Sequence, residues 1–241
     1  MIRTAGLGKS FGGVTAVRDA TVEVLPGKIN ALIGPNGSGK TTFFNLVTGL
    51  IKPDSGAVFL RDTDITGRSP HRIAHLGLGR TFQLCRIFPR MTVLENMLVA
   101  VRRTRLRELM AGIGNPAEIE RARGWLRRTG IEHMERAEAR DLSYGQQKLL
   151  ELAAVLMAEP ELILLDEPAG GVNPALIERL VTLIRELNAE GHTFLVVEHN
   201  MDMVMGMSDH VIVFDRGAPI CAGPPRQVQS DPRVLEAYLG V

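Results

Sequence analysis

The sequence predicts an α/β fold with a mostly parallel sheet, and three observations carry that prediction. A glycine-rich loop, residues 34–42, stands between an apolar run and a helical stretch. A short wholly apolar run at residues 162–165 is followed by an amphipathic helical stretch and then by another strand-like run at residues 193–197. Strand, helix and strand in that order form the βαβ unit of a parallel sheet.

The composition fits a well-buried globular protein. The chain has 241 residues, of which 45% are hydrophobic, so it is long enough to bury a sizeable core. Its two cysteines, Cys85 and Cys221, lie far apart without metal-ligand spacing, so we expect reduced thiols in a cytosolic protein. The first residues lack a signal-peptide core, and no stretch approaches the roughly 20 apolar residues that span a bilayer. We therefore expect any membrane role to come through a partner.

The charge pattern argues against a nucleic-acid partner. The net charge is +1, and the basic side chains in the middle of the chain are interleaved with glutamates. Such a mixture is typical of a solvated helical face rather than of a nucleic-acid-binding stripe. The densest basic cluster is Arg102, Arg103, Arg105 and Arg107.

Short strands and turns fill the first third of the chain. Strand-like runs occur at residues 21–24, 28–33 and 57–60, each bounded by proline or glycine turns. The second of these runs leads directly into the glycine-rich loop, which is followed by a helical stretch. The predicted order there is strand, loop and helix.

Residues 91–140 predict a helical insertion, because their apolar side chains repeat at helical spacing without alternation. Glycines and a proline at residues 112–116 break it into two helices. Strand and helix alternation then returns. The later predicted elements are a helix over 149–157, a strand over 162–165, a helix from Asn173 to Gly191, a strand over 193–197, a hairpin of 211–214 with 219–222, and a closing helix over 234–239.

The glycine-rich loop matches the phosphate-binding pattern G-x-x-x-x-G-K-[ST] in full, and we call it the phosphate loop. Its glycines let backbone N–H groups converge on phosphate oxygens at the positive end of the following helix. Lys40 is expected to reach the outer phosphates, and the Thr41 hydroxyl to hold Mg²⁺. The alternative, an ordinary glycine-rich turn, is disfavoured by the further motifs of the chain. The predicted nucleotide-binding residues of the loop are Gly34, Pro35, Asn36, Gly37, Ser38, Gly39, Lys40, Thr41 and Thr42.

Two adjacent carboxylates, Asp166 and Glu167, end the apolar run at residues 162–165. Ligands of open α/β sheets bind at the carboxyl ends of the strands. We expect Asp166 to lie directly on the Mg²⁺ held by Thr41 or in its second coordination shell, and Glu167 to point at the water that attacks the terminal phosphate. A polar strand end without function is the alternative, which the phosphate loop disfavours.

A third motif, Leu-Ser-Tyr-Gly-Gln-Gln at residues 142–147, precedes that strand, and we call it the Ser143 motif. Ser143 can cap the helix that follows, and Gly145 leaves room for a phosphate to approach free N–H groups. The motif therefore predicts a second anion site, although a serine at a helix start is by itself more often only a cap.

With these three motifs in this order, the chain resembles the ATPase subunits of ATP-binding cassette (ABC) transporters. In that family the third motif usually reads Leu-Ser-Gly-Gly-Gln and faces the nucleotide of the partner subunit. Tyr144 departs from this pattern, because it stands where the first glycine is usual. The resemblance implies ATP as the nucleotide, bound in trans by Ser143, Tyr144, Gly145 and Gln146.

The same resemblance implies the domain organisation. It predicts a single ABC ATPase domain over residues 1–241, with a P-loop NTPase core, an antiparallel β subdomain and a helical subdomain. The core and the β subdomain are expected at residues 1–83 and 151–241, and the helical subdomain at residues 84–150.

The resemblance also implies roles for single residues that would not indicate a function without it. Phe11 is expected to stack on adenine, where a core position is the alternative. Gln83 is expected to touch Mg²⁺ or the attacking water and to sense the membrane part, and His199 to contact the terminal phosphate. Residues 169–173 take the place of the loop that communicates across the dimer, with Asn173 where Asp is commoner.

Several longer phrases are similar to the ATPases of branched-chain amino acid importers. This closer resemblance implies a subunit that binds and hydrolyses ATP with Mg²⁺ to power the import of branched-chain amino acids or related small polar solutes. A soluble non-transport or regulatory ABC cassette is the alternative. The phrases lie at residues 80–83, 91–96, 142–147, 166–174, 198–201 and 237–240.

The expected partners follow from the same resemblance. The Ser143 motif has no reason to face its own phosphate loop, so we expect a head-to-tail pair with a second ATPase subunit, either identical or a sister chain. Residues 84–89 are the candidate contact with transmembrane permease subunits, with core packing of their apolar side chains as the alternative. A solute-binding protein is expected as an indirect partner, and the cytoplasmic face of the cell membrane as the location.

Other nucleotide-hydrolysing classes fit less well. An ABC ATPase of DNA repair needs a long coiled coil, which the break at residues 112–116 interrupts. A translation-type ABC factor needs two cassettes, and a P-loop GTPase needs an Asn-Lys-x-Asp motif, which the sequence lacks. A catalytically silent cassette is disfavoured by Glu167 and His199.

Overall fold

The computed structural model describes residues 1–101 and 114–239 of the chain. Three features of the sequence therefore lie outside the described residues: the basic cluster Arg102, Arg103, Arg105 and Arg107, the first two residues of the predicted helix break, and Gly240 of the last phrase. The strands are β1 Ile2–Phe11, β2 Val14–Ala20, β3 Glu23–Val24, β4 Ile29–Ile33, β5 Ser55–Leu60, β6 Thr63–Asp64, β7 Leu78–Arg80, β8 Leu162–Asp166, β9 Thr193–Val197, β10 His210–Asp215 and β11 Ala218–Gly223.

The helices of the described ranges are numbered in chain order. They are α1 Lys40–Val47, α2 Pro70–Ala74, α3 Val93–Val99, α4 Pro116–Thr129, α5 Tyr144–Leu156, α6 Pro174–Ala189, α7 Met201–Met207, α8 Pro225–Gln229 and α9 Pro232–Leu239. Two short 3₁₀ turns, Glu132–Met134 and Ala139–Asp141, lie between α4 and α5. No helix in the described ranges is both long and apolar enough to cross a membrane.

A six-stranded sheet has the strand order β11-β10-β4-β9-β8-β7. From β10 to β7 each strand runs parallel to its neighbours, whereas β11 pairs antiparallel with β10 as a hairpin. Every residue of β4, β8 and β9 is buried, as expected of the central strands of a parallel sheet. The predicted mostly parallel sheet and the predicted C-terminal hairpin are therefore confirmed.

A second sheet is antiparallel and is built from the first strands of the chain. Strands β2, β1, β5 and β6 follow one another in its path, and β3 pairs with the start of β1. Buried and half-buried side chains alternate at the end of β5, and in β2 the buried Val17 and Ala20 stand among exposed residues, so this sheet is partly open to solvent. The antiparallel β subdomain that the resemblance implied is thus present.

The described residues fall into two compact units. Unit 1 comprises Met1–Arg80, Glu161–Pro168 and the described part of Arg185–Val241, and it contains both sheets. Unit 2 comprises the described part of Thr81–Pro160 together with Ala169–Ile184. The regular elements of unit 2 are helices, and its core is formed by buried side chains of α3, α4 and α5, among them Met97, Leu126 and Leu150.

Capping explains where the helices of unit 2 begin. Asn115 and Glu118 form a capping box at the start of α4, and Thr92 and Glu95 form another at the start of α3. Gly130 ends α4 in the left-handed conformation, with φ of 69°. The helix predicted after the break at residues 112–116 is α4, which begins at Pro116.

The short helices α2, α7 and α8 were not predicted from the sequence. Each has five or seven residues, so the helical repeat completes at most two turns. Asn200 is nevertheless a residue type that favours the N-cap of a helix, and in α7 its side chain accepts a hydrogen bond from the N–H of Met203 at 3.0 Å.

Candidate functional site

The phosphate loop joins the end of β4 to the start of α1 in unit 1. Gly34 has a φ of 149° and Gly39 a φ of 99°, which side chains disfavour. A Cβ on Gly34 would overlap the carbonyl oxygen of Phe214, and one on Gly39 would overlap that of Ala16. Both positions therefore require glycine, because neighbouring backbone fixes the shape of the loop.

The other predicted loop residues differ in exposure. Ser38 is buried, and its carbonyl oxygen accepts a hydrogen bond from the N–H of Gly217 at 3.0 Å, which anchors the loop to the turn between β10 and β11. The exposed members are Asn36, Gly37 and Thr41, and the half-buried members are Pro35, Gly39, Lys40 and Thr42.

Lys40 is the first residue of α1, and its ammonium folds back over the loop. Its Nζ donates to the carbonyl oxygens of Gly34 at 2.7 Å and Pro35 at 2.9 Å. Burial lowers the pKa of Lys40, and the charge of Glu167 partly offsets that effect. The lysine and the predicted base are therefore close enough to interact electrostatically within unit 1.

Asp166 is buried at the end of β8 and is paired with a residue that the sequence analysis did not single out. Its Oδ2 accepts from the Arg80 guanidinium at 2.8 Å, and both side chains are less than a tenth exposed. The same guanidinium donates to Asn45 Oδ1 and Thr48 Oγ1, each at 2.8 Å. Arg80 thus ties the Asp166 carboxylate to α1, the helix that follows the phosphate loop.

Glu167 holds an uncommon backbone conformation for a non-glycine residue, with φ of 48°. Its N–H donates to the carbonyl oxygen of Val197 at 2.9 Å, so the pairing of β8 with β9 continues one residue past Asp166. Such conformations cost of order 1–3 kcal/mol and persist where the surroundings impose them, commonly at functional sites. The turn redirects the chain immediately after the buried strand.

His199 follows the end of β9, at the same edge of the sheet as Glu167. Its side chain is 65% exposed, and its backbone N–H donates to Oε2 of Glu198 at 3.0 Å. The Glu198 carboxylate is buried and also accepts from the N–H of Asn200 at 3.3 Å. Glu198 therefore shapes the turn that presents the His199 imidazole, a role that the sequence analysis did not assign.

Phe11 ends β1 in unit 1, and its ring is 49% exposed. The core position weighed as an alternative for this residue is therefore wrong. The Lys9 ammonium lies 5.4 Å from the ring centroid and is held by Asp54, whose carboxylate accepts from it at 2.6 Å. An exposed ring of this kind retains a face on which a planar base can stack.

The Ser143 motif begins α5 in unit 2. Ser143 Oγ accepts from the N–H of Gln146 at 3.4 Å, and Gln146 Oε1 accepts from the N–H of Ser143 at 2.9 Å, which completes a capping box. A Cβ on Gly145 would overlap the Leu176 side chain. The motif therefore has a structural role in unit 2 beside the ligand role predicted for it.

Gln83 lies in unit 2 at the start of a stretch without helix or strand. Its side chain is exposed, and its carbonyl oxygen accepts from the hydroxyl of Tyr144 at 2.9 Å. Farther along this stretch Leu84 is 79% and Phe88 52% exposed, whereas Ile87 packs against the core of unit 2. Core packing, the alternative for residues 84–89, therefore holds for Ile87 but not for Leu84 or Phe88.

Tyr238 in the C-terminal helix α9 is influenced by the phosphate loop. Burial raises the pKa of the Tyr238 hydroxyl to about 12, and the backbone N–H of Gly34 counteracts that shift. Tyr238 lies in one of the phrases that resemble the branched-chain importers, but no role was predicted for it. A tyrosine so far along the chain carries no local signal of this interaction.

Two family models match the sequence. One, described as ABC transporter, covers residues 17–170. The other, described as branched-chain amino acid ATP-binding cassette transporter, covers residues 218–241.

Full-length relatives and solved structures are similar over the whole chain. The high-affinity branched-chain amino acid transport ATP-binding protein LivG of Escherichia coli strain K12 is 42% identical, with 100% of this chain and 98% of the relative covered. A solved nucleotide-free ATP-binding cassette from an ABC transporter is 36% identical with a TM-score of 0.89, covering 100% and 99% of the two chains. A bacterial ABC transporter cassette solved as a dimer is 25% identical with a TM-score of 0.82, covering 94% of this chain and 99% of its own.

Proposed function

The chain belongs to the ATP-binding subunits of ABC transporters, and from this membership we propose that it powers the import of branched-chain amino acids or of related small polar solutes. ATP hydrolysis coupled to transport is the activity of the family. The branched-chain class is supported by the name of the LivG relative and by the family model over residues 218–241. The proposed location is the cytoplasmic face of the cell membrane, where permease subunits would bind the chain.

The geometry of the parallel sheet carries the catalytic part of the proposal: the phosphate loop follows the carboxyl end of β4, and Glu167 follows the carboxyl end of β8, with only β9 between the two strands. We assign the transferred and leaving phosphates to Lys40 and to the backbone N–H groups of the phosphate loop. Glu167 is assigned as the base that orients the attacking water, and His199 as a contact of the terminal phosphate. Phe11 is the proposed adenine platform.

The donor set of the site fits Mg²⁺. Within unit 1 the Thr41 hydroxyl and the Asp166 carboxylate offer oxygen ligands, which a hard divalent cation prefers. When bound, the ion would neutralise charge between the outer phosphates. Because Arg80 already holds Oδ2 of Asp166, we place this carboxylate in the second coordination shell rather than directly on the ion.

The second half of each site is proposed to come from a second ATPase subunit. The Ser143 motif exposes the start of α5, a helix long enough to carry a positive end, and Ser143 itself is exposed. The solved dimer of a related cassette supports a pair. Either a second copy of this chain or a sister ATPase would supply Ser143, Tyr144, Gly145 and Gln146 in trans.

Residues 84–89 are the proposed contact with the permease. Leu84 and Phe88 expose apolar side chains on a stretch that lacks regular structure, and binding residues are disproportionately found on such connecting segments. Gln83, which begins the stretch, is the residue through which we expect the contact to be sensed.

Uptake by a reconstituted transporter tests the proposal. The chain would be assembled in vesicles with the permease and the solute-binding protein that co-purify with it, and ATP-dependent uptake of labelled leucine would be measured. We expect uptake with the wild-type chain and none with Lys40→Ala. ATP hydrolysis without a co-purifying permease or any uptake would instead support the soluble or regulatory cassette.

A further inference from the structure

The backbone of residues 82–88, which we call the Gln83 segment, is held by side chains rather than by regular structure. A segment without helix or strand must find partners for its N–H and C=O groups elsewhere. Helix α5 supplies three such hydrogen bonds, and α3 supplies two, all within unit 2.

Glu151 of α5 is the centre of this arrangement. Its Oε1 accepts from the N–H of Arg86 at 3.0 Å and from that of Phe82 at 3.3 Å. One oxygen therefore holds together two backbone positions of the segment that are four residues apart. The side chains of the same two residues are also in contact, because the Arg86 guanidinium lies 3.8 Å from the centroid of the Phe82 ring.

Glu151 is buried, and the hydrogen bonds to the Gln83 segment compensate for the cost of burying its carboxylate. The residue is 5% exposed, and burial raises the pKa of its carboxyl, while the two N–H donors and the charges of Lys148 and Arg86 lower it. A buried carboxylate is unfavourable unless it is hydrogen-bonded. The neighbouring positions Leu149, Leu150 and Leu152 are apolar, so helix packing alone would be served by leucine at this position.

Two further side chains complete the attachment. Tyr144 lies seven residues before Glu151, on the same face of α5, and its hydroxyl donates to the carbonyl oxygen of Gln83 at 2.9 Å. At the far end of the segment Asn96 accepts from the N–H of Phe88 at 2.7 Å and donates to its carbonyl oxygen at 3.1 Å.

We propose that Glu151 and Tyr144 are positioning residues that fasten the Gln83 segment to α5, so that a permease contact on the segment moves the Ser143 motif with it. The inference rests on the proposed function, since it takes residues 84–89 as the permease contact. It gives Tyr144 a reason to stand where related ATPases usually carry glycine: a hydroxyl at this position reaches the segment.

Amide hydrogen exchange measures the attachment directly. In Glu151→Leu, which removes the acceptor but keeps an apolar volume, we expect exchange in a peptide over residues 82–88 to rise about tenfold. Glu151→Gln keeps an acceptor oxygen and is expected to stay within about threefold of wild type. Glu120→Leu, an exposed glutamate of α4 that pairs with Arg127, is the matched control and should leave this peptide unchanged.

ATP turnover by the complete transporter measures the coupling. In Glu151→Leu we expect the permease-stimulated kcat to fall about tenfold with the KM for ATP within about twofold, because the phosphate loop is built by unit 1, and we expect recovery in Glu151→Gln. Tyr144→Phe, which removes one oxygen, should also reduce the stimulation.

The outcomes separate the inference from the proposed function. Unchanged exchange or full stimulation in folded Glu151→Leu would overturn the inference. If circular dichroism shows that this variant does not fold, amide exchange in Tyr144→Phe decides: faster exchange over residues 82–88 supports the inference, and unchanged exchange overturns it. Absence of permease-stimulated turnover in wild type would mean that the proposed function fails, while the exchange comparison still tests the attachment.

Discussion

At the residue scale, the candidate site is built by backbone positions as much as by reactive side chains. Gly34 and Gly39 are fixed by neighbouring carbonyl groups, and Glu167 is held at a positive φ by its bond to β9. The backbone therefore fixes the positions of the reactive groups, and the effect of replacing each of them can be predicted separately.

Glu167→Gln should lower ATP turnover about 10² to 10⁴ times, because general-base catalysis typically contributes that much. The amide has the same shape, so nucleotide binding should persist and an ATP-bound dimer should accumulate. Phosphate release and gel filtration with ATP measure both effects.

Glu161→Gln is the matched control, since Glu161 precedes the opposite end of β8 and pairs with Arg61 at an exposed site. Its turnover should equal that of wild type. Wild-type turnover in Glu167→Gln would remove Glu167 from the role of base.

Arg80→Met should destabilise unit 1 by about 3 kcal/mol, because it leaves the buried Asp166 carboxylate without its cation. Urea denaturation measures the change. Arg61→Met, which breaks the exposed pair with Glu161, should cost less than about 1 kcal/mol. Equal losses in the two variants would contradict the importance of burial at Asp166.

At the element scale, many strands and helices follow local rules, although the two longest strands, β1 and β2, were not predicted from the sequence. Strands β4, β8 and β9 were predicted because their residues are mostly apolar. Helix α6 was predicted because Asn173 caps it: Asn173 Oδ1 accepts from the N–H of Leu176 at 2.9 Å. Helices α2, α7 and α8 escaped prediction because five to seven residues hold too few repeats of the helical period.

Gly124→Ala should stabilise unit 2 by about 0.5–1 kcal/mol, because alanine is the better helix former and the space around Gly124 in α4 is open. Gly130→Ala in the same helix should destabilise, since its φ is 69° and a Cβ would overlap the Arg179 guanidinium. Thermal unfolding of the two variants should therefore shift in opposite directions; shifts of the same sign would contradict this account.

At the scale of the whole molecule, function depends on surfaces that partners would complete. The exposed start of α5 and the exposed apolar side chains of the Gln83 segment both lie in unit 2, whereas the phosphate loop, Glu167 and His199 lie in unit 1. We therefore expect changes on the segment to affect assembly before they affect nucleotide chemistry.

Leu84→Glu should reduce the amount of permease that co-purifies with the chain about tenfold, because a charge would replace an apolar side chain that is 79% exposed. Val14→Glu is the control, since Val14 is 69% exposed on β2 of unit 1. Equal recovery of permease with both variants would exclude Leu84 from the interface.

The sequence by itself determined the fold class, the order of the main elements and the motifs that place the chain among the ABC ATPases, because glycine patterns, uniform apolar runs and helix caps are local signals. Only the tertiary structure decided that Arg80 holds Asp166 and that Glu151 and Tyr144 bind the backbone of the Gln83 segment. These contacts join residues that are far apart in the chain, and their partners are backbone groups or single side chains without any pattern. Their energy comes from burial and hydrogen-bond geometry, which exist only after the chain has folded.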